Sequence, residues 1–127
     1  MPDDKPTTII NQRTDNFTTV YANNAYFESS AWDLKIVFGQ LDQSQNPAVV
    51  KQNLAVTIPW QQAKLAIYWL QIQVAAEEAQ LGAKIPIRKD LLPAELPTPT
   101  PEQQSDPNFT KWFEKARKIR EEFLANV

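Results

Sequence analysis

The sequence predicts an α+β fold: a three- or four-stranded antiparallel meander with one long two-faced helix, followed by a proline-rich linker and a separate C-terminal amphipathic helix. Three observations carry this. Apolar and polar residues alternate over residues 32–41 and again over 49–58, the period of a half-buried strand. Helical periodicity then runs without a break from Pro59 to Gly82. Finally, five prolines (Pro93, Pro97, Pro99, Pro101 and Pro107) separate that helix from a second helical pattern. The implied organisation is a mobile N-terminal tail over residues 1–16, a sheet-plus-helix domain over 17–89, a linker over 90–106 and a docking helix over 107–127.

Residues 1–16 are polar, with Pro2 and Pro6 and only Ile9 and Ile10 to pack, so they are expected to form a tail. From Phe17 the texture becomes β-rich, and Val20, Tyr21, Tyr26 and Phe27 point to a continuous strand ending at Ser29, Ser30 and Ala31. The alternative is a short hairpin turning at Asn23 and Asn24. The next strand sets Trp32, Leu34, Ile36 and Phe38 on one face and Asp33, Lys35 and Val37 on the other. After Gly39 the run D-Q-S-Q-N-P supplies turn chemistry, and a third strand carries Val50, Leu54, Val56 and Ile58 on one face. Short connections make the sheet an antiparallel meander.

The helix over residues 59–82 organises the rest. Pro59 suits a first turn, where its missing N–H costs nothing, and Gly82 suits the C′ position that accepts positive φ. On a 3.6-residue wheel Ala63, Ala66, Ile67, Leu70, Val74 and Leu81 form one stripe, expected to cover the sheet. Leu65, Tyr68, Trp69, Ile72, Ala76 and Ala79 form another on the opposite side. Two apolar stripes imply two packing partners. Left in water, Leu65, Trp69 and Ile72 would each forgo about 1.5–3 kcal/mol of burial, large against a net stability of roughly 5–15 kcal/mol. Leu65, Trp69, Ile72 and Ala76 are therefore the expected oligomer interface.

Beyond Gly82, Ile85 and Ile87 could run briefly extended along a sheet edge. The proline-rich linker is expected to be a semi-rigid spacer of about 3.1 Å per residue. In the last helix Asp106 is the expected N-cap and Pro107 the first helical residue. Its stripe of Phe109, Trp112, Phe113, Ala116, Ile119 and Phe123 is too rich in large side chains for a solvated tail, and points to docking in a partner's groove.

Composition narrows the function classes. The chain has 127 residues, 43% hydrophobic, with a formal charge of -2, which argues against nucleic acid as a partner. No cysteine and no histidine are present, so disulfides and thiolate chemistry are excluded, and a transition-metal site would need carboxylates alone. Neither a signal peptide nor a membrane span is visible, and a cytoplasmic protein is expected. Lys111, Lys115, Arg117, Lys118 and Arg120 make the last helix locally basic, but Glu114, Glu121 and Glu122 offset them and disfavour a membrane surface. Glu28, Ser29, Ser30, Asp33, Lys35 and Asp42 near the strand ends could in principle serve catalysis, yet they match no catalytic constellation. Turn hydroxyls and a solvated ion pair are the expected roles. No catalytic residue, cofactor or metal ligand is assigned.

Tyr21-Ala22-Asn23, the S-x-W-D-x-x-x-x-F-G-Q run from Ser30 to Gln40, and P-x-x-x-A-K from Pro59 to Lys64 resemble a small bacterial family of uncharacterised proteins, domain of unknown function 3467, over about residues 20–85. The resemblance implies no activity and transfers no catalytic residue. The layout, a sheet followed by a long helix in an acidic chain, is also similar to tetrameric protein-export chaperones, at the level of fold alone. The resulting expectation is a non-enzymatic interaction or scaffold subunit, a homo-oligomer or one subunit beside a partner. A holdase-type chaperone for unfolded clients is the alternative, and an enzyme of unknown class is the third reading.

Overall fold

The computed structural model describes residues 6–127; the first five residues of the expected tail lie outside the described residues. The chain forms two units, one extending to Ala63 and the other spanning Lys64–Val127. The first unit holds an antiparallel sheet in the order β1 (Asn24–Ser29), β2 (Asp33–Asp42), β3 (Val49–Pro59). The helix α1 (Trp60–Leu81) begins directly at the end of β3, and a 3-10 turn (Lys89–Leu91), a short α2 (Pro101–Gln104) and α3 (Pro107–Ala125) follow.

The first strand is shorter than the sequence suggests. Residues 6–22 form no strand, and pairing starts at Asn24, opposite Gly39. Asn23 sets this boundary: its N–H donates to the Gly39 carbonyl at 3.1 Å, and its Oδ1 accepts the Leu41 N–H at 2.7 Å. A side-chain amide thus takes the place of a further backbone pair, and the run is neither one long strand nor a hairpin at residues 23–24. Earlier in the segment, the Arg13 guanidinium lies 4.6 Å from the centre of the Phe17 ring.

Ser30 builds the turn between β1 and β2. Its N–H donates to the Asp33 carbonyl at 3.0 Å, while its Oγ accepts the N–H groups of Trp32 and Asp33 at 3.2 and 3.1 Å. Trp32, expected on the inner face of β2, sits in this turn instead and is 85% exposed. The hydroxyl claims its backbone for the turn before the strand begins.

Between β2 and β3 the register runs from Asp33↔Pro59 to Phe38↔Leu54, then resumes at Gly39↔Gln52, leaving Asn53 as the extra residue of a β-bulge. One extra residue reverses the faces beyond it. Leu34, Ile36 and Phe38 therefore share a face with Leu54, Val56 and Ile58, and with Ala25 and Phe27 of β1, as the pairing requires. Val50, expected among them, pairs with Leu41 and lies on the opposite face with Val37. Gly39 is the residue the bulge demands: a Cβ there would stand 2.6 Å from the Lys51 carbonyl oxygen.

Pro59 closes β3, and its missing N–H falls where strand passes into helix. At the other end Gly82 has φ 67° and donates its N–H to the Glu78 carbonyl at 3.0 Å, the left-handed stop that glycine allows. The Glu78 carboxylate turns the chain further by accepting the Ile85 N–H at 2.7 Å. No fourth strand forms around Ile85 and Ile87; the sheet has three strands.

In the second unit the proline-rich stretch is partly ordered by local caps. Thr100 and Gln103 form a capping box that starts α2. Asp106 caps α3 by accepting the Asn108 N–H at 3.0 Å, with Pro107 at the first helical position.

Candidate interaction surfaces

Of the side chains that could carry chemistry, Glu28, Ser30, Asp33, Lys35 and Asp42 are engaged in local pairs. Lys35 pairs across the ladder with Glu28 at 3.8 Å, and Asp33 accepts the Ser30 hydroxyl at 2.9 Å. Asp42 accepts both the hydroxyl and the N–H of Ser44, at 2.6 and 2.9 Å. These bonds, the hydroxyl first, lower the Asp42 pKa from its ordinary value. The turn hydroxyl expected at Ser30 is present, whereas the ion pair expected between Asp33 and Lys35 forms between Lys35 and Glu28 instead. Among the described residues no three carboxylates cluster as a metal site would need.

What the chain presents instead is apolar surface. Among the described residues Ala63, 8% exposed, is the only buried hydrophobic side chain. On the sheet face of Phe38, the side chains of Leu54 and Val56 are exposed, and Val20 and Ala22, from the segment before β1, border a hollow there with Phe38 and Leu54. On α1 the stripe expected as a core face is no better covered than its opposite: Leu70 is 64% exposed and Trp69 57%. On that first stripe Ala63 is buried and Ala66 half-buried, while Ile67, Leu70, Val74 and Leu81 are exposed.

The structure places Leu65, Trp69, Ile72 and Ala76 on a single continuous exposed face of α1. Tyr68 flanks this face, its ring edge-on to Trp69 with centroids 4.9 Å apart.

The stripe of α3 divides in two. Phe109, Phe113 and Ala116 are half-buried, together with Arg120 and Leu124, while Trp112, Ile119 and Phe123 are exposed, Ile119 by 68%. The linker makes the difference. Arg120 donates from Nε to the Ala94 carbonyl at 3.1 Å and from Nη2 to the Pro93 carbonyl at 3.2 Å. Leu96 and Pro99 line a hollow with Phe113, Arg117 and Arg120. Lys84 Nζ also donates to the Ala125 carbonyl at 3.3 Å. The linker is thus not the free extended spacer its prolines suggest. Phe109 stacks on Phe113 at 5.9 Å and tilts against Trp112 at 5.4 Å, so the exposed and half-buried parts share one aromatic cluster.

The sequence reading missed the roles of four residues that position these surfaces: Asn23, Trp60, Glu78 and Arg120. The Trp60 indole N–H donates to the Ser30 carbonyl at 3.0 Å, tying the first residue of α1 to the β1–β2 turn. Their partners are non-local, except for Glu78, so no spacing announces them. A glutamate one turn before a helix-ending glycine is the single readable signal.

The family model of a protein of unknown function, DUF3467, matches residues 2–89. The chain belongs to this family. The DUF3467 match takes in the sheet, the whole of α1 and the segment before β1, so it begins well before the residue-20 boundary expected from the motifs; α2 and α3 lie beyond it. No curated protein and no solved structure matches the chain. No helix among the described residues is long and apolar enough to cross a membrane.

Proposed function

We propose that this DUF3467 chain is a non-enzymatic protein–protein interaction or scaffold subunit of the cytoplasm, folded and functional as an oligomer, with α3 presenting an anchor for a protein partner. The observation that supports this reading is the distribution of apolar surface. Leu65, Trp69, Ile72 and Leu70 on α1, Leu54 and Val56 on the sheet, and Trp112 and Ile119 on α3 are all exposed. Exposed patches of that extent in a folded protein mark contact surfaces. Burying Leu65, Trp69 and Ile72 alone contributes roughly 1.5–3 kcal/mol each, large for a chain with one fully buried hydrophobic side chain among its described residues. On α3, Trp112 and Phe123 serve as anchors on the uncovered half of the stripe, and the partner meets an aromatic cluster already braced by Phe109 and Phe113.

Purification of the native protein with whatever it carries, followed by sedimentation velocity, tests this. A stoichiometric complex or a stable homo-oligomer supports the scaffold reading. A monodisperse, stably folded monomer that binds no partner overturns it. The same continuous apolar stripes favour a second reading, a holdase for unfolded clients. Suppression of aggregation of several unrelated proteins, without a stoichiometric folded partner, would favour that reading over the first.

A further inference from the structure

From the order of residues along α1 we infer that its Leu65–Trp69–Ile72–Ala76 face binds a second copy of the same helix, antiparallel, about a two-fold axis midway between Leu70 and Gln71. This rests on the oligomer reading and names its partner and orientation. A two-fold contact requires that a surface be complementary to itself, and few helix faces are. Here the axis exchanges Leu65 with Ala76 and Trp69 with Ile72, and one turn further out Gln62 with Ala79. These residues recur at alternating spacings of three and four along Trp60–Leu81, the seam pattern of paired helices.

Volume decides the direction. Antiparallel pairing sets leucine on alanine in the outer layers and tryptophan on isoleucine in the central ones, so the layers differ less in volume than they would in a parallel pair. Parallel pairing would stack Trp69 on Trp69 in one layer and Ala76 on Ala76 in another, overfilling the first and leaving a void in the second.

Charge agrees. The charged residues of α1 are Lys64, Glu77 and Glu78, and at about 100° per residue all three lie more than a quarter turn from the midline of this seam. The seam is bordered by Gln61, Tyr68, Gln73 and Gln80, so pairing strips water from no charge. Antiparallel alignment also sets each helix's N-terminal end beside the other's C-terminal end, which favours the opposed dipoles.

The area suffices. Leu65, Tyr68, Trp69 and Ile72 are each about half exposed, leaving on the order of 400 Å² of large side chain per copy. Two copies offer about 800 Å², and with the alanine and glutamine borders the seam reaches the roughly 1,200 Å² of a small specific interface.

Because the chain has no cysteine, single-cysteine variants of the full-length protein give a clean test. Leu65→Cys and Ala76→Cys are purified separately, then each alone and an equal mixture refolded together are oxidised and run on a non-reducing gel. An antiparallel seam yields disulfide dimers in the mixture only, since each position lies about 16 Å along the axis from its own copy, beyond disulfide reach. Self-linked Leu65→Cys or Ala76→Cys dimers, or no dimer in the mixture, overturn the inference. Should either variant fail to fold, Gln62→Cys mixed with Ala79→Cys reads the next layer in the same way. Sedimentation of the unmodified chain separates the two ideas: an oligomer whose mixtures never cross-link refutes the seam alone, whereas a stable partner-free monomer refutes the interaction reading itself.

Discussion

Gly39 and Asp42 show how single residues hold the sheet's irregular points. At Gly39 the bulge brings the Lys51 carbonyl within 2.6 Å of where a Cβ would stand. Gly39→Ala must therefore displace backbone rather than a flexible side chain, and a loss of about 1–3 kcal/mol is expected from chemical denaturation. Gly82 has open space around it and only its positive φ to protect, so Gly82→Ala is expected to cost less, about 1 kcal/mol. Asp42 carries a pH signature. Its pKa in the folded chain is lowered by the Ser44 hydroxyl and N–H, so its contribution is fully present above the unfolded pKa and is lost as pH falls through the lower, folded value. Ser44→Ala should therefore reduce stability at neutral pH, with the difference from the unmodified chain shrinking in acid; equal differences at pH 7 and pH 3 would refute this role.

Among the elements, α1 and α3 solve the same problem differently. α3 finds cover for half of its stripe within its own unit, through the linker that Arg120 clamps by two carbonyls. Arg120→Ala removes both bonds while leaving the apolar residues in place. Faster proteolysis and faster amide exchange over residues 91–99 are expected, with a global loss of no more than about 1–2 kcal/mol because the bonds are exposed to solvent. Unchanged protection of those residues would show that Leu96 and Pro99 hold the linker unaided. Among the described residues every apolar side chain of α1 larger than alanine is exposed, so under the proposed oligomer reading Trp69, rather than a residue of the sheet, is the side chain whose loss should be felt in assembly. Trp69→Ala is expected to weaken association by on the order of 2 kcal/mol, about thirtyfold in dissociation constant.

For the molecule as a whole, Ala63 is the only fully buried hydrophobic side chain among the described residues, and Phe38, Ile36 and Leu34 are no more than half-buried, a small return against the conformational entropy of ordering the chain. Under the proposed oligomer reading, folding and assembly form a single equilibrium, and stability depends on concentration. The melting temperature is expected to rise with protein concentration over the micromolar range, and dilution should unfold the chain rather than release a folded monomer. A concentration-independent melting temperature would contradict this. Disulfides, absent here for want of cysteine, offer no alternative remedy for so small a core.

The residues alone determined the element types: the alternation of Leu34, Ile36 and Phe38, the unbroken helical period to Gly82, and the caps at Asp106 and Pro107 are local patterns set by backbone geometry and short-range hydrogen bonds. They also set the two stripes of α1, and with them the faces offered for contact. The tertiary structure decided what depends on residues distant in sequence. Asn23 sets the start of β1 by bonding Leu41, the bulge at Asn53 sends Val50 to the other face, and Arg120 folds the linker onto α3. Each of these is a competition between a local preference and a non-local hydrogen bond or register. Periodicity records only the first, whereas the second exists only once the chain has brought its partners together.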